Sequence, residues 1–297
     1  MTGPLAPDAL WLTWLYVPGD RPEVVTKALH SGADVVLVDL EDAVAPDRKE
    51  YARRATAELL SDPNPGPVPV HVRINALDGP LAHEDVRALA ALPGTAGLRL
   101  PKVCRPAQVV QVAEWVRAAR AEQGLPTDGE GRHQGPGLYA LLESALGVEH
   151  AYAVATAHPT LRGIALGEAD LRADLGAQGE DSLSWPRSRV VTAARAAGLP
   201  HPPQSVYPDV RDTEGLARSC ARGRTLGFLG RAALHPRQLP VIEEAYLPSP
   251  QEVDAAQEIV QAAATEAGAL ALPDGRFVDA AVVEGAHRTL ALARRRG

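Results

Sequence analysis

The feature that most constrains this chain is a regular alternation of short apolar runs with helical stretches, each run ending in polar or charged residues. Leu12-Thr13-Trp14-Leu15-Tyr16-Val17 stops at Pro18-Gly19-Asp20, and Arg21-Pro22-Glu23 then opens a helix with proline in its first turn. Asp34-Val35-Val36-Leu37-Val38-Asp39-Leu40 is almost continuously apolar, as a strand covered on both faces must be, and it ends in Glu41-Asp42. A helical run to Leu60 precedes a third strand over 68–75, which finishes with Arg73 and Asn75. The fourth strand, 97–103, ends near Lys102, and a helix runs from Pro106 to Glu122. Leu138 to Leu142 ends in Glu143, a helix covers 145–156, and Leu161 to Leu166 ends in Gly167-Glu168-Ala169-Asp170. A helix over 184–197, a poor seventh strand over 200–206 interrupted by Pro202 and Pro203, a helix over 213–224 and an eighth strand over 227–236 complete the series.

Eight such units over about 230 residues predict an α/β chain of the (β/α)8 TIM-barrel class, with a doubly wound sheet as the alternative. The barrel would occupy 8–237. Residues 238–297 exceed a barrel's needs. They hold Pro248-Ser249-Pro250, an Ala/Glu/Gln helix over 252–267, a turn at Pro273-Asp274-Gly275 and a last helix ending in Arg294-Arg295-Arg296. This C-terminal stretch reads as a helical arm or lid, packed on its own barrel or over a neighbouring subunit's site.

Barrel sites lie at the C-terminal ends of the strands. Arg21, Glu41, Asp42, Arg73, Asn75, Lys102, Glu143, Glu168, Asp170 and His235 all fall there. Within that set Glu143 and Asp170 end consecutive strands, and a right-handed crossover between parallel strands brings both acids to one face. Two carboxylates with water and a substrate oxygen make an ordinary Mg2+ shell. Taken singly, each would be a solvated helix cap. Glu41 and Asp42 fit either a hydrogen-bonding role toward metal-bound water or a solvated acidic turn. Lys102 reads as the partner of a nearby carboxylate, Glu168 as an arginine partner or a ligand, and His235 as a hydrogen bonder at a strand end. The Arg294 to Arg296 run suits a helix C-terminus.

Composition removes several function classes. The net charge of −7 disfavours a nucleic-acid partner, because neutralising phosphates takes a basic face. Two cysteines, Cys104 and Cys220, give no disulfide framework and fit a reducing cytoplasm. The apolar stretch from Leu10 to Val17 is too short to span a membrane and lacks the basic flank of a signal peptide. With aromatic residues at 4%, the core must rest on Leu, Val and Ala.

Several motifs stand in one order: Tyr16-Val17-Pro18-Gly19-Asp20-Arg21-Pro22, Val38-Asp39-Leu40-Glu41-Asp42-Ala43-Val44, Val72-Arg73-Ile74-Asn75, Leu100-Pro101-Lys102, Leu141-Leu142-Glu143-Ser144, Gly167-Glu168-Ala169-Asp170-Leu171 and Leu234-His235-Pro236-Arg237-Gln238. Together, over nearly the entire chain, they resemble the citrate lyase beta-subunit family of the HpcH/HpaI aldolase superfamily, which includes malyl-CoA and citramalyl-CoA lyases. The resemblance implies a Mg2+-dependent carbon–carbon lyase that cleaves a 3-hydroxyacyl thioester of acyl-CoA or an acyl carrier to acetyl thioester and an oxoacid. It implies Glu143 and Asp170 as metal ligands, with Glu143 also facing substrate. Arg73 matches a substrate-binding arginine, and Tyr16, Arg21 and Lys27 match residues that hold the CoA moiety. Gly275-Arg276-Phe277-Val278-Asp279 looks like the family's lid segment, whose Asp acts as base toward an adjacent subunit's substrate, and the expected assembly is a homotrimer. Reverse Claisen cleavage asks for a base, a Lewis acid and a cation near the thioester oxygen, roles that Asp279, Mg2+ and Arg73 would fill.

The chain also departs from that pattern. Many members carry Asp after the seventh strand where this one reads His201-Pro202-Pro203-Gln204-Ser205-Val206-Tyr207, and a common Lys before the His-Pro motif is Arg231. Rival readings are the lyase subunit of a citrate lyase complex acting on a carrier protein, a malate-synthase-like condensing enzyme or thioesterase, and a barrel that binds a thioester without turning it over.

Overall fold

The structure, a computed structural model, describes residues 10–127, 135–265, 270–271 and 275–296. The expected turn residues Pro273 and Asp274 and the end of the expected 252–267 helix lie outside them. The described chain divides into two compact units, 11–242 and a second made of 243–296 with Leu10.

In the first unit β1 (Thr13–Pro18), α1 (Pro22–Leu29), β2 (Val35–Asp39), α2 (Lys49–Leu60), β3 (Val70–Arg73), α3 (Leu81–Leu89), β4 (Thr95–Leu100), α4 (Pro106–Glu122) and β5 (Gly137–Leu142) alternate as the sequence predicts. Then come α5 (Ala145–Glu149), α6 (Ala151–Ala155), β6 (Leu161–Leu166), α7 (Glu168–Leu175), α8 (Ser184–Ala196), α9 (Thr213–Thr225) and β7 (Arg231–Ala233), and the chain passes from the first unit to the second within α10 (Leu239–Tyr246). The strands form one parallel sheet in the order β6-β5-β4-β3-β2-β1-β7. Val35, Val36, Leu37 and Val38 on β2 are fully buried, which the near-continuous apolar run requires of a strand covered on both faces. Gly97 on β4 admits the rings beside it: a Cβ there would lie 2.9 Å from atoms of both His71 and Tyr139.

The expected closed eight-stranded barrel is not what forms. The seventh strand is replaced by an irregular segment whose one bridge pairs Gln204 with Arg231. Pro200, Pro202 and Pro203 have no N–H to give a ladder, so the segment's backbone bonds run to the β7 side, and from the β6 side Glu168 N reaches it only through the Ser205 hydroxyl at 3.3 Å. Gln204 N donates to the Gly230 carbonyl (2.9 Å), Ala232 N to the Gln204 carbonyl (3.0 Å) and Leu229 N to the Pro202 carbonyl (3.0 Å). Arg231 adds a side-chain tie, Nε donating to the Ser205 carbonyl at 2.8 Å. Among the described residues no strand pairing joins this segment to β6, and the sheet is an open half-barrel.

Two helices also differ from expectation. The stretch 145–156 breaks at His150, whose Nδ1 is engaged by the Cys104 carbonyl at 2.7 Å. Helix α7 begins directly after β6 and places Glu168 and Asp170 in its first turn, where acidic side chains complement the helix dipole.

In the second unit α11 (Pro250–Thr265) packs against α12 (Ala280–Ala293), and β8 (Leu270–Ala271) pairs antiparallel with β9 (Phe277–Val278). Asp279 is the N-cap of α12: its Oδ1 accepts from Ala281 N and Val282 N, both at 3.0 Å. Arg295, in the run read as a helix C-terminus, donates through Nη1 to the Leu10 carbonyl at 2.6 Å. No helix among the described residues is long and apolar enough to cross a membrane.

Candidate active site

A cleft of about 190 Å³ opens over the C-terminal ends of the strands, with Tyr16, Arg73, Glu143, Gly167, Asp170 and Ser205 among its walls. Its rim is wired by charge. Asp39 and Arg73 are paired residues on neighbouring parallel strands, so their side chains leave the same face of the sheet. Arg73 donates to Asp39 through both arms of its fork, Nε to Oδ1 at 2.8 Å and Nη2 to Oδ2 at 2.6 Å. Burial works against the charge on Arg73, yet the Asp39 bonds and the nearby Glu41 carboxylate hold its pKa above the ordinary arginine value. Asp39 also accepts from Glu41 N (2.9 Å) and Ala43 N (3.1 Å), which fixes the turn carrying the next acids.

Glu41 is buried between two cations, Arg73 Nη1 at 3.0 Å and Lys102 Nζ at 2.7 Å, and is not part of a solvated turn. Asp42 faces solvent at the cleft edge. Lys102 is the one non-glycine residue with positive φ (53°) among the described residues. That strained backbone turns its N–H onto Glu143 Oε1 at 2.8 Å while its ammonium reaches Glu41. Lys102 is therefore a carboxylate partner, as the sequence predicts, and a bridge between two acids as well.

Glu143 is 5% exposed. Burial pushes its carboxyl up to about 8, against the pull of the Lys102 N–H and with Asp170 and Glu41 adding to the rise. The chain comes close to it at Gly167, where a Cβ would collide with the Glu143 carboxyl. Two facing acids of this kind are costly unless a proton or a cation stands between them. Among the described residues no group of three or more His, Cys, Asp or Glu side chains forms a metal site. The pair therefore offers two hard oxygen ligands with positions left for water and substrate, a donor set that fits Mg2+.

The remaining expected residues divide. Tyr16 lines the cleft beneath the Arg73 guanidinium, 5.3 Å from its ring centre, and burial raises its phenol pKa. Arg21 and Lys27 are exposed at the two ends of α1 and are not among the cleft-lining residues. Glu168 is an arginine partner: Arg187, itself buried, donates to its Oε1 at 2.8 Å and Oε2 at 2.5 Å. Asn75 turns away to Asp85, which accepts from its N at 2.8 Å and its Nδ2 at 2.7 Å. His235 is exposed and accepts from Arg237 N at 3.1 Å, the strand-end role expected of it. Asp279 belongs to the second unit. Asp39, Arg99 and Arg187 carry no role in the sequence reading. For Asp39 a signal existed, since it stands two residues before Glu41 and hence on the same side of an extended chain.

Residues 12–236 match the model of the HpcH/HpaI aldolase/citrate lyase family. The chain belongs to this family. It is 33% identical to the L-malyl-CoA/beta-methylmalyl-CoA lyase of Rhodobacter capsulatus, over 96% of this chain and 95% of that protein. It is likewise 33% identical to citrate lyase subunit beta of Leuconostoc mesenteroides subsp. cremoris, over 96% of this chain and 94% of the relative. Among solved structures it is similar to CitE from Mycobacterium tuberculosis in complex with magnesium, acetoacetate and coenzyme A. The TM-score is 0.78 at 32% identity, with 96% of this chain and 99% of that one covered. The HpcH/HpaI family assignment spans β1 to the His235-Pro236 turn, and so takes in every wall of the cleft.

Proposed function

We propose that the cleft is the active site of a Mg2+-dependent carbon–carbon lyase, which cleaves a 3-hydroxyacyl thioester to acetyl thioester and an oxoacid. The observation that carries this reading is the Glu143–Asp170 pair placed in one cleft with an arginine locked by Asp39. When bound, the cation supplies Lewis-acid stabilisation of the forming ketone. Arg73, charged and held by two bonds, stabilises negative charge as the thioester oxygen becomes an enolate. Lys102 orients Glu143 through its N–H and pairs its ammonium with Glu41 beside Arg73. Both capping bonds of Asp279 fall on Oδ1, which leaves Oδ2 to take the hydroxyl proton of a neighbouring subunit's substrate. On this reading 8–237 is a catalytic domain built on the (β/α)8 plan and 238–297 is its arm and lid. The assembly is an oligomer, a trimer by the family resemblance. Tyr16 and the exposed cations Arg21 and Lys27 suit the phosphates of a CoA moiety. Two free cysteines and a CoA-type substrate accord with a cytoplasmic setting.

Kinship with a citrate lyase beta subunit favours a second reading, in which a carrier protein brings the thioester. One assay separates the alternatives. The protein with Mg2+ is given malyl-CoA, citramalyl-CoA and citryl-CoA in turn, and acetyl-CoA, oxoacid and free CoA are monitored. Acetyl-CoA with an equal amount of oxoacid is the expected result. Free CoA without acetyl-CoA identifies a hydrolase, and silence on all three points to a carrier-bound substrate or to a binding role.

A further inference from the structure

Below the wired rim, the cleft floor carries a cation that nothing among the described residues answers. Arg99 on β4 is in register with Arg73 on β3, so the two guanidinium groups leave the same face of the sheet side by side. Arg73 has Asp39, Glu41 and Asp42 around it. Arg99 is 4% exposed and lines the cleft, and its side chain makes no hydrogen bond or ion pair among the described residues. Its Nε is buried without a partner. Its guanidinium lies instead against ring faces, Tyr139 at 4.7 Å and Trp14 at 5.9 Å from its central carbon. Such faces offset part of the cost of desolvating a guanidinium but supply no hydrogen-bond acceptor in its plane. His71, fully buried and not itself a wall of the cleft, packs on Tyr139 with ring centres 4.6 Å apart, and its two ring nitrogens are also buried without partners. A buried arginine without a hydrogen-bond acceptor or counter-ion is expensive, and the other buried arginines among the described residues are answered: Arg53 by Asp85, Arg187 by Glu168 and Glu180, and Arg231 by the Ser205 carbonyl and the Ser219 hydroxyl. Arg99 faces the cleft described above, where a ligand can provide the anion.

We propose that Arg99 determines specificity by binding a second carboxylate on the oxoacid half of the substrate, so that the preferred thioester releases a dicarboxylic oxoacid. This rests on the lyase reading. The bulky thioester arm has to leave through the mouth of the cleft, and the first carboxylate belongs beside the cation that the acid pair would hold. The group that reaches the floor is then the remaining substituent of the oxoacid half. A carboxylate there meets the planar fork of Arg99 in its favoured bidentate geometry, whereas hydrogen or methyl leaves the guanidinium unanswered. Sites built to hydrogen-bond one group reject analogues that lack it more strongly than apolar pockets reject an extra methylene.

The test is calorimetric binding of oxaloacetate, pyruvate and glyoxylate to the full-length protein with Mg2+, wild type against Arg99→Met. Wild type is expected to bind oxaloacetate about 30-fold more tightly than either monocarboxylic acid, as one charge-assisted bidentate contact allows. Arg99→Met should lose at least tenfold on oxaloacetate and change less than threefold on the others. Equal wild-type binding of all three acids, or equal weakening of all three in the variant, overturns the proposal. Should Arg99→Met not fold, the wild-type series still decides, and Arg99→Lys, keeping charge without the fork, should fall between. Selective oxaloacetate binding with CoA esters hydrolysed to free CoA and no acetyl-CoA would sink the lyase reading while sparing Arg99. Cleavage to acetyl-CoA that favours malyl-CoA or citramalyl-CoA over citryl-CoA would do the reverse.

Discussion

At the rim of the cleft Asp39, Arg73, Glu41 and Lys102 are linked by contacts of 2.6 to 3.0 Å, each charge beside its opposite, and the Lys102 N–H holds Glu143 at 2.8 Å. At the floor Arg99, and outside the cleft walls His71, are buried with polar atoms that meet only rings. A wired cluster holds its geometry with or without substrate, which is what a reacting centre requires. An unwired one lowers stability until something binds, and polar groups kept under that penalty mark where a ligand is expected. Rim and floor thus divide the work, chemistry above and selection below.

The largest effect should come from the rim's acid pair. Glu143→Gln is expected to lower turnover at least about 1,000-fold, roughly 4 kcal/mol of transition-state stabilisation. The variant should fold as well as wild type or better, since a buried carboxyl whose pKa is already raised to about 8 is removed. Steady-state rates with urea melts check both halves. Asp39→Asn releases one side of the Arg73 fork, and kcat/KM should fall about 100-fold with about 3 kcal/mol of stability lost. If Asp39 works through Arg73, adding Arg73→Met to it costs far less than the two single losses together, and additive losses would separate the residues. Gly167→Ala drives a methyl group into the Glu143 carboxyl, and Mg2+ affinity should weaken about tenfold with little change in far-UV circular dichroism.

The smallest effect belongs to His71. Burial, with the Arg99 charge adding to it, holds the His71 pKa well below that of free histidine. The unfolded chain therefore takes up a proton that the folded chain refuses. The stability contributed by the neutral ring is complete above the unfolded value of about 6.5 and is lost as pH falls below it, by at most about 1.4 kcal/mol per pH unit. His71→Phe should flatten that part of the profile when urea midpoints are compared at pH 7.5 and 5.5. An unchanged slope would mean that other groups set the acid limit.

The helix and strand plan was legible because its signals are local: apolar runs, Pro in a first helical turn and acids at strand ends all sit within a few residues. Barrel closure was not, since it depends on whether 200–206 can donate hydrogen bonds to a distant neighbour, and its prolines remove those donors. The acid pair could be read because Glu143 and Asp170 come after consecutive strands. Asp39 was hidden by its place inside an apolar strand, where its partner, Arg73, is a register match that only pairing reveals. Arg99 was hidden in the same way, a charge within Leu98-Arg99-Leu100 whose meaning lies in what fails to surround it. Glu41 and Asp42, one acidic turn in the sequence, parted in the fold because Lys102 and Arg73 reach only the first closely.

The most direct test of the whole account is a calorimetric titration of Mg2+ into wild type and Glu143→Gln at pH 7.5. One site per chain in wild type, absent from a variant that folds normally, is the result predicted. The same binding isotherm for both proteins would contradict the assignment of the cleft as a metal-dependent lyase site.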